Sequence, residues 1–416
     1  MPHFFECGIA FFTTFVRMII VIVLMSLAVI GLLLDAYIYY RTLRHASSCR
    51  WLRILYFVQA GVFNLGMVVV MGLYESLIGS TTDNMVMVMW LILIFMMSFL
   101  PKLIFALFSI IELLVSKIFK RSMHWLLYCG LLLGLSLLGV MMWGVSITRN
   151  NIKISQVDII SKELPESFNG FKIAFFSDVH LGNLGGNQAF LNQLVDKINS
   201  LDADIVFQGG DFVNAHSSEF TPLIKAIFER ITSPVYSVLG NHDLGIYINN
   251  LTPEKERASL EQVIALQKQM GWQVLIDQQL WLHRNGDSIS LAGLNYPQKA
   301  KLGISQQPID PKAFVQTMAN VPDSAFSIVI SHTPSMWDFV PKAVSQVNLM
   351  ISGHVHSGQV KVCGHSPASY LYPLWSGLYL DRGRYLYVND GIGYVAFPMR
   401  IGANPEITLF TLKRKS

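Results

Sequence analysis

Charge and cysteine are both scarce in this sequence. Only 14% of its 416 residues are charged, well below the roughly 25% of an ordinary soluble domain. The shortage is uneven. Residues 1–146 hold 9 Lys/Arg and 5 Asp/Glu, whereas residues 147–416 hold 22 of each. The net +4 therefore belongs to the first part, and the second is neutral. A neutral domain without a basic run argues against nucleic-acid binding. Of the four cysteines, Cys7, Cys49, Cys129 and Cys363, only the last lies beyond residue 147, which excludes a disulfide within that part. Cys363 reads as a small buried or semi-buried residue. Repeats and low-complexity tracts are missing as well.

What the first part does contain is four apolar segments, near Met18–Tyr40, Leu52–Tyr74, Met85–Leu114 and Trp125–Ile147. Each is long enough for a bilayer crossing of about 20 residues. The third is too long for one straight span and contains Pro101-Lys102, so a kink, a tilt or two shorter pieces are expected. The first is not a signal peptide, being too long and having its basic flank after it. Basic loops face the cytoplasm. Arg41, Arg44, Arg50 and Arg53 lie in the first loop and Lys117, Lys120 and Arg121 in the third, while Glu75 to Asn84 has acids only. Four spans then put the second part on the periplasmic or extracellular side of the cell membrane. Arg17, Lys102 and Glu112 read as residues near segment ends that snorkel, not as a transport path. The expected domains are a multi-span transmembrane domain, 1–147, and a globular domain, 148–416.

In the globular part, strand-like runs alternate with helix-like stretches. Strands are expected at Phe171–Phe176, Asp204–Phe207, Pro234–Leu239, Trp272–Ile276, Leu280–Arg284, Ser288–Ala292, Phe326–Ile330, Val347–Ile351, Leu386–Asn389 and Ile407–Leu412. Helices are expected at Gln188–Leu201, Phe220–Ile231 and Glu254–Met270, with Pro253 suited to a first turn. Asn285-Gly286 marks a hairpin. The reading is an α/β sandwich with helices outside. Lys361 to Arg384 holds Tyr370, Tyr372, Trp375 and Tyr379. It reads first as a patch packing a sheet edge, with a lid touching a lipid substrate as the alternative.

Five polar motifs follow these strands in order: Asp178-Val179-His180, Gly210-Asp211, Gly240-Asn241-His242-Asp243, Ser331-His332 and Gly353-His354-Val355-His356. Ligand sites of α/β sheets collect at such strand ends. In an extended segment, residues i and i+2 project to the same side, so Asp178 with His180, and His354 with His356, can each point together. The carboxylate of Asp211 is placed to bridge two ions, and Asn241 offers a neutral oxygen. Mixed His, Asp and Asn donors suit manganese, iron or zinc, not a closed thiolate site. Two such ions about 3.5–4 Å apart clamp the attacking and leaving oxygens of an in-line displacement. They also bring the pKa of a bound water toward neutrality, so that hydroxide is available.

This ordered set resembles the calcineurin-like metallophosphoesterase superfamily over roughly residues 170–360. The wider layout is similar to its membrane-anchored bacterial members, through the four apolar segments, Leu164-Pro165 to Gly170-Phe171-Lys172, and Gly391 and Gly393 to Arg400-Ile-Gly402 and Pro405-Glu406. The resemblance implies a four-layer αββα sandwich and two divalent metal ions. It implies that Asp178, His180 and His356 bind one ion, that Asn241, His332 and His354 bind the other, and that Asp211 bridges them. His242 would face the scissile phosphate and protonate the leaving oxygen or stabilise its charge, with Asp243 orienting it by a hydrogen bond. The family often has a second Asp three residues after the bridging one; here Asn214 stands there, a departure expected to leave activity untouched. Arg400 is a weak candidate for substrate binding. His216 and His365 match no motif.

The expected function is an integral-membrane phosphoesterase acting on phosphodiesters, pyrophosphates or phosphomonoesters, with lipid-linked or envelope-precursor substrates as candidates. The alternatives are a ligand-binding sensor or transporter with a phosphoesterase-like domain, and a membrane-bound protein phosphatase. Retention of every ligand position favours catalysis over the sensor.

Overall fold

The computed structural model describes residues 22–23, 25–42, 44, 50–72, 82–245, 252–296 and 311–415. The chain divides into two compact units. One comprises Met1–Ile78 and Met87–Trp143, the other Gly79–Val86 and Gly144–Ser416.

Helices Arg50–Gly72, Thr82–Phe119 and Trp125–Ser146, which lie wholly or mostly in the first unit, are long and apolar enough to cross a membrane. The first predicted span begins at Met18, and its residues 18–21 and 24 lie outside the described residues; 22–23 and 25–41 are helical. Arg17 also lies outside them. Thr82–Phe119 is one helix of 38 residues with Pro101 inside it. It is therefore not two pieces, and at 1.5 Å per residue it is about 57 Å long, more than a bilayer core needs. Small residues let the neighbouring helix approach it. A side chain at Gly134 would bring a Cβ within 2.9 Å of the Pro101 carbonyl oxygen.

Lys102 and Glu112 do not snorkel. Lys102 Nζ lies 2.6 Å from Asp35 Oδ1. The Asp35 carboxylate also accepts from Tyr56 Oη at 2.8 Å and Asn64 Nδ2 at 2.8 Å. Glu112 is buried and accepts from Arg41 at 2.6 Å and from Ser116 at 3.1 Å. In a segment without water, a charge is held by partners within the bundle. The expectation of snorkelling failed because Asp35, Tyr56 and Asn64 lie on other helices, and linear sequence does not show that they meet.

Among its described residues the second unit has two six-stranded sheets. The strands are β1 (Lys153–Ser161), β2 (Lys172–Phe176), β3 (Ile205–Gln208), β4 (Val235–Ser237), β5 (Gln273–Val274), β6 (Gln278–Arg284), β7 (Asp287–Leu294), β8 (Ser327–Ser331), β9 (Leu349–Ser352), β10 (Gly377–Asp381), β11 (Arg384–Val388) and β12 (Glu406–Arg414). One sheet has the order β1-β12-β2-β3-β4-β5, the other β10-β11-β9-β8-β7-β6. Alternation along each strand supplies two cores. Ile173 and Phe175 of β2 join Ile205, Phe207, Ile328, Ile330, Leu349 and Ile351 between the sheets. Ala174 and Phe176 face the other way, onto Leu191, Leu194, Val195 and Ile198 of helix Gln188–Asn199. A third cluster packs Phe314 and Met318 of helix Lys312–Met318 on Val329 and Met350. The result is helix, sheet, sheet, helix.

The expected strands are present to within a few residues, and the β6–β7 turn has Asn285 and Gly286 both at positive φ, as an Asn-Gly hairpin requires. β1 and β10 were not anticipated. Both are sheet edges with half-exposed faces, so neither shows a buried apolar run. The expected helix Phe220–Ile231 is shorter, Pro222–Phe228. Cys363 is exposed and at positive φ, not buried, because it sits in a tight turn between the paired Val362 and His365.

Candidate metal centre

All five motifs fall at the carboxyl ends of parallel strands. Asp178 and His180 follow β2, Asp211 follows β3, and Asn241, His242 and Asp243 follow β4; His332 follows β8, and His354 and His356 follow β9. Each sheet thus supplies part of one site. Two glycines allow this convergence. A Cβ on Gly240 would lie 2.1 Å from Asp211 Oδ1, and one on Gly353 would lie 2.2 Å from Asp178 Oδ2.

The seven candidate ligands come together. His356 Nε2 lies 3.3 Å from Asp178 Oδ1 and 3.2 Å from His180 Nε2. His332 Nε2 lies 3.1 Å from Asp211 Oδ2, 3.1 Å from Asn241 Oδ1 and 3.1 Å from His354 Nδ1. Asp211 Oδ2 also lies 3.7 Å from His180 Nε2. Asp178, His180 and His356 form one group able to hold a metal ion, and Asp211, His332 and His354 form another. A third such group, His180, Asp211 and His242, shows that His242 borders the same space. Several lone pairs converge on each point, more than one proton can satisfy, so this donor set fits divalent cations.

The backbone that aims these donors is not extended. Asp178, His180, Asp211, His354 and His356 have φ of 56°, 48°, 51°, 74° and 53°. The expected i, i+2 projection from a strand is therefore replaced by left-handed residues, a conformation that costs a non-glycine residue energy and persists only where its surroundings impose it. They do so here. Asp178 N–H donates to Gly210 O at 3.0 Å, His180 N–H to Asp211 O at 3.1 Å, and Gly393 N–H to Asp178 O at 2.7 Å.

The outer contacts revise three expectations. Asp243 accepts backbone N–H bonds from Phe212 and Val213 on Oδ1 (2.9 and 3.1 Å) and from Gly240 on Oδ2 (2.9 Å). Its carboxylate is thus turned to tying two motif loops together. The His242 ring is held by the Asn214 carbonyl, 2.5 Å from Nδ1. Asn214, set aside as a harmless departure, therefore touches the proposed acid through its backbone. Glu219 fixes that turn by accepting from the N–H of Asn214 at 2.5 Å and of Ala215 at 2.9 Å. Arg400 is fully buried, so it does not face a substrate. It donates to the carbonyls of Asp390, Ala403 and Gly393, and Nη2 lies 3.1 Å from His356 Nδ1. These roles depend on main-chain atoms and distant loops, which a motif does not show. Tyr296 and Tyr372, whose rings lie 6.0 and 6.4 Å from that of His354, gave no signal beyond being aromatic.

Burial would raise both acids, yet the charges of His356 and His332 hold Asp178, and those of His332 and His242 hold Asp211, well below the carboxylate range. Burial, then the Asp211 charge, pushes Asp243 up to about 7. Burial and the His332 charge bring His354 down to about 4. For His332 burial works the other way, but Asp211, Asp178 and the Gly209 carbonyl outweigh it and raise the imidazole to about 9.

Comparison with known proteins decides what this centre belongs to. Residues 171–358 match the family model "Calcineurin-like phosphoesterase", and residues 10–149 match "Probable Calcineurin-like phosphoesterase, transmembrane domain". The chain carries a calcineurin-like phosphoesterase domain. It is similar to the uncharacterized metallophosphoesterase YkuE of Bacillus subtilis, 28% identical over 63% of this chain and 86% of that protein. A metallophosphoesterase of Campylobacter jejuni is 27% identical over 73% of this chain and 76% of its own length. A transmembrane protein with a metallophosphoesterase domain from Danio rerio is 28% identical over 63% of this chain, but the match spans only 57% of that relative. This calcineurin-like domain is that of a phosphoester hydrolase dependent on divalent metal, and the chain is a membrane protein.

Proposed function

We propose that the protein hydrolyses phosphoesters at a two-metal centre. Asp178, His180 and His356 hold one ion; Asn241, His332 and His354 hold the other; Asp211 bridges them. The observation that carries this is the position of the Asp211 carboxylate between two donor groups, 3.7 Å from His180 and 3.1 Å from His332. Bound ions at such a site supply Lewis acidity and a water of lowered pKa. The chain's own residues supply the rest. His332 Nδ1 rests 2.9 Å from the Gly209 carbonyl and His356 Nδ1 on Arg400, so the opposite ring nitrogens face inward. His242 protonates the leaving oxygen, and Asn214 orients it. Asp243 stabilises the loops on either side. The metals are manganese, iron or zinc, and the substrates are phosphodiesters, pyrophosphates or phosphomonoesters of lipid or envelope precursors. Residues 1–147 anchor residues 148–416, on the periplasmic or extracellular side.

The test is purified full-length protein, stripped with chelator and reloaded with each metal. Turnover of bis(p-nitrophenyl) phosphate should vanish on stripping and return with about two ions per chain. Activity that survives complete stripping, or saturates at one ion, removes the dinuclear reading.

Metal uptake should also depend on pH. A histidine ligand must be deprotonated, and His332 keeps its proton below about 9 in the metal-free protein. Falling pH therefore weakens binding, by about tenfold per unit while one proton is displaced. Calorimetry in buffers of different ionisation enthalpy should count about one proton released at pH 7. Affinity that is flat between pH 6 and about 9 contradicts this.

A further inference from the structure

Immediately after His356 the chain leaves the centre, loops out, and returns as the edge strand β10. The base of this excursion is firmly tied. Asp390 accepts from Lys361 Nζ at 2.7 Å, Ser376 Oγ at 2.6 Å and Ser357 Oγ at 2.5 Å, and Ser366 Oγ donates to the Ser357 carbonyl at 2.6 Å. Its middle borders the site. The Tyr372 ring stands at 90° to that of His354, and Tyr372, Leu374, Trp375 and Tyr379 pack against the core on that side. Its tip does not pack. Tyr370 is 91% exposed and Leu371 77%. Of the ten exposed large hydrophobic residues described from Ile147 onward, five (Val362, Tyr370, Leu371, Leu378 and Leu380) fall in these 19 residues. Single exposed apolar residues need no explanation, whereas a concentration beside an active site does.

Three of the four aromatics of this stretch, Tyr372, Trp375 and Tyr379, pack the core, and the fourth, Tyr370, faces outward beside Leu371. Exposed Tyr and Leu with neighbouring Trp375, Lys361, Arg382 and Arg384 have the composition of segments that lie at a membrane interface. A bilayer is the apolar phase met by a chain whose described residues include three helices long and apolar enough to cross one. We propose that Tyr370 and Leu371 form a lip that enters the headgroup region of the bilayer and admits a lipid-borne phosphoester, whose phosphate passes Tyr372 to reach the centre while its acyl chains stay with the lip. This rests on the phosphoesterase reading above and adds the route and its residues: the lipid substrate is taken directly from the bilayer by Tyr370 and Leu371.

The experiment uses full-length protein in vesicles of phosphatidylcholine with phosphatidylglycerol. Tyr370→Ser/Leu371→Ser should leave kcat/KM for bis(p-nitrophenyl) phosphate unchanged and lower it at least tenfold for a long-chain phosphoester presented in the vesicles. Leu371→Trp should retain the lipid activity. Equal effects on both substrates, in either direction, overturn the lip, including the case in which this surface docks another protein. Insertion is read separately from catalysis. In a background with all four cysteines changed to serine, a fluorophore at Tyr370→Cys should be quenched by brominated lipid more than one at Glu254→Cys, an exposed helix position. Equal quenching overturns the proposal even if no substrate turns over. Quenching at Tyr370→Cys without hydrolysis of any phosphoester keeps the lip and removes the phosphoesterase reading.

Discussion

Changing His242 to alanine is expected to lower kcat for an alkyl phosphoester by about 10²–10⁴-fold, the usual contribution of a positioned general acid. The metal content should stay unchanged. His242 is set beside the metal ligands, its backbone N–H donating to Asp211 Oδ1 at 2.8 Å and its ring 4.6 Å from that of His180. The alanine variant keeps that backbone bond and all seven ligands, and loses only the imidazole. The loss should depend on the leaving group. An alkoxide needs a proton as it departs, while p-nitrophenolate leaves readily without one. The variant should therefore be hurt far more on the alkyl ester than on the aryl ester. Equal losses on both would mean that His242 supports the metals and does not transfer a proton, and a fall in bound metal would say the same directly.

The second large effect lies in the membrane unit. Lys102→Met is expected to destabilise that unit by about 3–5 kcal/mol, the cost of leaving one member of a buried pair without its partner. The side chains of Lys102 and Asp35 are 16% and 9% exposed, so water does not replace the lost cation. Tyr56 and Asn64 would still donate to Asp35, but two neutral donors do not balance a carboxylate. Adding Asp35→Asn to Lys102→Met should recover much of the loss, because no charge then remains unpaired. Unfolding of the detergent-solubilised protein, followed by helical circular dichroism, measures both. A single variant within about 1 kcal/mol of the parent would show that the pair is solvated and of little worth.

These two sites differ in how well the sequence announces them. The candidate metal centre was legible because each proposed ligand sits in a short motif directly after a strand, and the strands themselves follow from apolar runs such as Ile173–Phe176 and Ile328–Ile330. The ion pair was not, since Asp35 and Lys102 are 67 positions apart in helices whose faces are set by packing. Residues that act through the main chain were hidden for another reason. Asn214 meets His242 with its carbonyl, which every residue type possesses, so its side chain carried no message. Asp243 looked like an orienting acid because it follows His242, yet its carboxylate accepts from the N–H groups of Gly240, Phe212 and Val213. Edge strands β1 and β10 were overlooked because alternation without full burial resembles a loop.

The left-handed residues of the centre bear on which ion it accepts. An L-residue in that conformation gives up roughly 1–2 kcal/mol, and five of the seven proposed donors hold it, each in a hydrogen-bonded turn. Bond directions are thus cast by the fold and are not left for the ion to choose. A cation with other angular preferences would have to bend several tightly hydrogen-bonded turns at once, or accept poor overlap with some of its donors. At equal free-ion concentration, a divalent ion with different angular preferences should then fill the centre less fully, with the hydrogen-bonded main chain acting as the selector.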